Sequence, residues 1–303
     1  MKNAFNPKRR TILLQGAGLA VLAAGAMRAA HAAPQPASDT AQRVVVIGGA
    51  LAEIVYALGK EAALVGSDTT CTYPEAAGKL PKIGYQRALS AEGLLSLRPD
   101  LIIASAEAGP DSVLQRVADS GVKMLRFTEH HDVGSVREKI GGVAAALRAP
   151  AAGETLLARF NAEWQHVQGE TTHAPWPQLR VLFLLNPPGT QAMVAGQQTA
   201  ADAMLRYAGV SNAMQGFNGY RALTPEALAT ARPDVVLTTS DALQLAGSKA
   251  KLLGTPGFAL TPAGRNNRVV ALDTLFLLGF GPRLPAAVAS LRKGLTDAMA
   301  MAG

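Results

Sequence analysis

Tyr85 and Arg87, two residues apart in Gly84-Tyr85-Gln86-Arg87, are spaced to do one particular piece of chemistry. A phenol has a pKa near ~10, so its anion is scarce at neutral pH. A nearby guanidinium and a hard trivalent cation both favour that anion. Ferric haem held by a tyrosinate is one such case. The same pattern also suits a loop tyrosine whose ring packs and whose hydroxyl faces water. A second pair, Tyr220 and Arg221, follows Gly219 with the arginine directly adjacent. Neighbouring side chains of an extended segment point to opposite sides, so Arg221 is expected to point away from Tyr220. Tyr85 is therefore the better-supported phenolate of the two.

The two pairs belong to a longer repeat. Gly84 to Ile103 and Gly219 to Leu237 share one pattern, and from Arg87/Arg221 onward the register is gapless at an offset of 134. Ser90/Thr224, Glu92/Glu226, Arg98/Arg232, Pro99/Pro233 and Asp100/Asp234 pair at that offset, and only Gln86 lacks a partner. Two copies at so wide a period exclude a solenoid and imply two related lobes. A cleft between lobes is where a ligand is expected. No full counterpart of Ser67 to Pro81 precedes Gly219, so the first lobe is expected to supply more of the pocket.

The elements that must position these residues alternate between strands and helices. Val44–Ile47, Leu101–Ala104 and Val122–Phe127 read as strands of the first lobe; Val181–Leu185, Val235–Thr238 and Val269–Leu272 read as strands of the second. Such alternation predicts α/β lobes with central parallel sheets. Between them Leu156, Leu157, Phe160, Trp164 and Val167 recur at helical spacing. The expected organisation is a first lobe over 43–150, one long connecting helix over 151–173 and a second lobe over 174–303. A helical connector restricts the lobes to small rocking movements.

The chain has 303 residues and a net charge of +7, with 29 basic and 22 acidic residues. Lys2, Lys8, Arg9, Arg10 and Arg28 precede residue 33 and no acid does, so beyond that point 24 basic residues face the 22 acids. Such a balance gives no support for nucleic-acid binding. The early positive charges lead into an apolar run from Ile12 to Met27 and then Ala30-His31-Ala32. This is the pattern of a secretory signal over 1–32, cleaved after Ala32. Arg9-Arg10 also fits twin-arginine export. A Pro-, Ala- and Ser-rich leader over 33–42 is expected to be disordered. Cys71 is the sole cysteine, which rules out an intramolecular disulfide. The expected location is the periplasm.

Enzyme signatures are scarce. The chain lacks a phosphate-binding loop, and Gly48-Gly49 lacks the glycine spacing of a dinucleotide fingerprint. His130, His131 and Asp132 could form part of a metal-dependent hydrolase, but the dispersed ligands such a site needs are missing.

Several segments together resemble the periplasmic haem-binding proteins of ABC haem importers. They are Val46-Ile47-Gly48-Gly49, Glu53 to Gly59, Gly84-Tyr85-Gln86-Arg87 with Leu89-Ser90-Ala91-Glu92-Gly93, Thr199 to Met204, Gly219-Tyr220, and Leu277 to Arg283. The resemblance spans about residues 43 to 295. It implies a carrier without catalytic turnover, two lobes on a rigid helix, and ferric haem as the transported ligand. It further implies Tyr85 as axial iron ligand and Arg87 beside the phenolate or a propionate. Arg221 is then a further candidate near the anionic end. Tyr220 is a candidate second ligand by symmetry alone. Glu92 and Glu226, one per lobe, would pair with arginines on a two-fold permease whose ATPase subunits are separate chains, and the carrier itself would be a monomer. The wider family also binds cobalamin and siderophores, which keeps those ligands as alternatives. One departure is Ala52, where relatives often carry threonine.

Overall fold

The computed structural model describes residues 42–171, 178–186, 192–254 and 256–300. The signal segment 1–32, the leader up to residue 41 and the end of the connecting helix at 172–173 lie outside these residues.

Four strands form the first sheet: β1 (Val44–Ile47), β2 (Leu64–Ser67), β3 (Leu101–Ser105) and β4 (Lys123–Phe127), in the order β2-β1-β3-β4. Every pairing is parallel. The central strands β1 and β3 are buried nearly throughout. Strands covered on both faces are expected to read as unbroken apolar runs, and these two do.

The second sheet holds β5 (Arg180–Leu184), β6 (Met193–Ala195), β7 (Ser211–Asn212), β8 (Tyr220–Ala222), β9 (Val235–Thr239) and β10 (Val269–Leu272). β5 pairs in parallel with β9 on one side and β7 on the other, and β9 pairs in parallel with β10. The order β7-β5-β9-β10 therefore repeats β2-β1-β3-β4. What the first lobe lacks is an antiparallel extension, in which β6 pairs with the end of β5 and β8 pairs with β6.

The sequence repeat is a structural repeat down to single hydrogen bonds. Ser90 caps the Ala91–Ser96 helix by accepting from the Gly93 N–H, and Thr224 caps Pro225–Ala231 by accepting from Ala227. Such caps satisfy donors that the first helical turn leaves open. Arg98 and Arg232 both adopt left-handed backbone, at φ 46° and 40°. Asp100 then accepts from the Arg43 N–H and Asp234 from the Arg180 N–H, each at 2.9 Å. Each Arg-Pro-Asp thus anchors the chain where its lobe's central strand begins.

The connecting helix, Pro150–Thr171, buries Leu156, Phe160, Trp164 and Val167. It packs on the first-lobe helix Val133–Ala146 and on the second-lobe helices Ala200–Ala208 and Leu284–Ala300. A Cβ on Gly153 would come 2.4 Å from that of Ala144, so glycine is what lets the Val133–Ala146 helix approach this closely. Trp164 meets Tyr207 edge-on at 4.9 Å, and one apolar core runs through both lobes.

Two further contacts reinforce this seam. Arg283 donates two hydrogen bonds to the buried Glu53 carboxylate, at 2.9 and 2.5 Å. Across the same seam the His131 ring lies 5.4 Å from that of Phe280.

Candidate functional site

The carboxyl ends of the strands in both sheets lead into the loops that carry the candidate residues, the usual place for a ligand in open α/β sheets. In the first lobe the long loop after β2 is tied down from within. Asp68, fully buried, accepts from the Gly48 N–H at 2.8 Å and from Thr70. The Lys82 ammonium donates to Ser67 Oγ, the Cys71 carbonyl and the Ala77 carbonyl at 2.9 to 3.0 Å. Cys71 is buried here, and burial together with the Asp68 charge pushes its thiol well above the usual range. A thiol so protected is inert.

This loop delivers the chain to Tyr85. Gly84, at φ 101°, turns the backbone, and the Ala88 N–H closes a turn on the Tyr85 carbonyl at 2.8 Å. The Tyr85 ring is 43% exposed. Arg87 Nη1 donates to its hydroxyl at 2.8 Å, and Arg87 Nη2 meets Glu107 at 2.5 Å. Gln86 bridges from Ser105 Oγ, at 3.0 Å, to Glu107, at 3.2 Å. The phenol oxygen therefore has a charged donor on it, and that donor is held by a carboxylate.

In the second lobe Tyr220 opens β8 and is 38% exposed. Burial pushes its pKa up, the charge of first-lobe Glu107 adds to that, and Arg87 partly offsets it. The Arg221 guanidinium stacks 4.6 Å from the centre of the Phe217 ring. It lines a cavity of 1140 Å³ walled by second-lobe residues, among them Arg180, Asn212, Glu226 and Asp234. That cavity is separate from the place where Tyr85, Arg87 and Glu107 meet. Glu92 and Glu226 are both exposed in the first turn of their capped helices.

His130 and His131 do not assemble a metal site. The His130 N–H donates to Ser135 Oγ, and the partly buried His131 sits over Phe280 with Nδ1 3.7 Å from Glu129. Among the described residues no group of three or more His, Cys, Asp or Glu could hold a metal ion. Nor is any helix among them long and apolar enough to cross a membrane.

Glu107 escaped sequence reasoning. Yet it falls at the same 134-residue offset from Asp241, a signal the repeat already carried. Glu53 and Arg283, 230 residues apart, left no comparable sign.

Two α/β lobes on one long helix, with a cleft between them, define a substrate-binding protein of the helical-backbone class. Residues 44–274 match the family described as periplasmic binding protein, and the chain belongs to that family of carriers. Among solved structures it is similar to the periplasmic haem-binding protein BhuT in complex with two haems. That match has 59% identity and a TM-score of 0.82, over 85% of this chain and 99% of that one. The periplasmic haem-binding protein RhuT from Roseiflexus sp. RS-1 is 40% identical at the same TM-score, over 85% and 99%. The vitamin B12-binding protein of Vibrio vulnificus strain CMCP6 is 25% identical over 82% of this chain and 87% of its own length.

Proposed function

We propose that this protein is the periplasmic solute-binding component of an ABC importer and that its cargo is ferric haem, captured between the lobes with the Tyr85 oxygen on the iron. The observation that carries the reading is the 2.8 Å hydrogen bond from Arg87 to an exposed tyrosine oxygen at the cleft. A donor on that oxygen stabilises the negative charge that iron ligation requires. The similarity to BhuT over nearly all of that chain supports haem as the cargo. Cobalamin is the weaker reading, because the relative that binds it is far less similar and its ligand has no need of a phenolate. Arg221, turned to Phe217, serves the haem site less directly than Arg87.

Release then requires a permease. Glu92 and Glu226 occupy equivalent, exposed positions on the two lobes, which suits two basic partners related by a two-fold axis. The acids also favour their own helix N-termini, and the two roles coexist. The N-terminal signal would bring the chain to the periplasm, where a monomer meets the inner-membrane complex.

The deciding experiment is an absorption spectrum of the purified protein titrated with haemin. A high-spin ferric spectrum with a charge-transfer band is expected. An unchanged haemin spectrum would sink the haem reading.

A further inference from the structure

Both lobes carry an arginine and an acid at the same offset, Arg87 and Glu107 in the first and Arg221 and Asp241 in the second, each with a tyrosine just ahead of the arginine. Yet they are wired differently. In the first lobe the acid holds the arginine, and the arginine holds the tyrosine. In the second, Asp241 accepts from Thr274 Oγ1 at 2.9 Å, and Arg221 stacks on Phe217. The cause lies in Gln86, the one residue of the first copy without a counterpart. It places the arginine two positions after the tyrosine instead of one. Its own side chain spans Ser105 and Glu107, and its carbonyl accepts from the Gly109 N–H at 2.8 Å, so the acid's loop is fastened to the tyrosine's turn.

We infer that Glu107 is a positioning residue that holds Arg87 on the Tyr85 oxygen, the atom proposed to meet the iron. It engages Arg87 Nη2 while Nη1 donates to the Tyr85 hydroxyl, and Gln86 ties the acid's loop to the tyrosine's turn. The inference rests on the haem reading above. Its physical content is preorganisation: a guanidinium already engaged by a carboxylate keeps its remaining donor aimed at the oxygen that binds the metal.

The test uses Glu107→Gln in the full chain. This side chain is exposed, so the fold should persist. With haemin bound, Glu107→Gln should alter the charge-transfer band and raise the haem dissociation rate about three- to tenfold, the size of one charge-assisted hydrogen bond. Adding Arg87→Ala to Glu107→Gln should change the rate little further. A wild type that binds haemin normally, beside a Glu107→Gln with unchanged band and dissociation rate, would overturn the role of Glu107 alone. A wild type that leaves the haemin spectrum unchanged would overturn the haem reading and, with it, the role of Glu107.

Discussion

The Arg283 guanidinium of the second lobe lies 3.6 Å from the centre of the Tyr73 ring of the first. It is held there by Glu53, whose side chain is only 5% exposed, and it has Phe276 on another side at 5.0 Å. A cation on an aromatic face and in a bidentate carboxylate grip has little freedom, so this contact fixes the lobe spacing.

Cutting one side of that contact should be costly. Arg283→Met leaves the Glu53 carboxylate buried without its partner, and such a loss is worth about 3 kcal/mol. Urea unfolding should show the midpoint fall accordingly. Glu53→Met together with Arg283→Met should recover most of the loss, because a buried pair replaced by apolar side chains is often neutral. A single variant as stable as wild type would mean the pair contributes nothing across the seam.

His131 gives the seam a pH dependence. Burial holds its pKa below the ordinary 6.5, against the opposing charges of Glu129, Glu107 and Asp132; Lys139 lowers it further. A histidine depressed in the folded state contributes stability that is present above 6.5 and lost as pH falls through the folded value. His131→Asn does not titrate there, and asparagine tolerates the left-handed backbone found at this position, φ 51°. Stability measured from pH 7 downward should therefore fall less steeply in the variant than in wild type. Parallel curves would assign the acid sensitivity to other groups.

Much of this was open to reading in the sequence because the chain says it twice. The Ser90 and Thr224 caps and the central strands follow from local patterns with known physical causes, and the matching Arg-Pro-Asp runs marked the Asp100 and Asp234 latches as equivalent without naming their partners. The antiparallel addition of β6 and β8 was not legible. Strands of three residues carry too little periodicity to register. The Glu53–Arg283 pair was hidden for another reason. A contact between residues 230 apart depends on how two lobes dock, and no local pattern encodes that. Glu107 lay between these cases, since its place in the repeat was visible but its bonds depend on the single insertion at Gln86.

Docking and capture should separate. Glu92 and Glu226 are exposed and lie outside the Tyr85 cluster, so Glu92→Ala combined with Glu226→Ala should leave the haemin spectrum intact. Exposed charges of this kind change stability by about 0.5 kcal/mol or less, so folding should be preserved. Uptake into vesicles carrying the reconstituted permease should fall steeply. Normal uptake by the double variant would return both acids to stabilising their helix N-termini.

The two tyrosines provide the sharpest comparison. They follow glycines at corresponding places in one repeat, both with φ above zero, and both tyrosines are partly exposed. Only Tyr85 receives a guanidinium hydrogen bond, while burial and the Glu107 charge disfavour the anion at Tyr220. Tyr85→Phe keeps the ring and removes the oxygen alone. It should abolish the charge-transfer band of bound ferric haem and weaken haem retention by more than the ~10-fold expected from losing an outer partner of a metal ligand. Tyr220→Phe should leave the ferric spectrum largely as in wild type. Should the band instead survive in Tyr85→Phe and vanish in Tyr220→Phe, the second lobe would supply the ligand, and the Arg87 hydrogen bond would have to serve a propionate or the empty state.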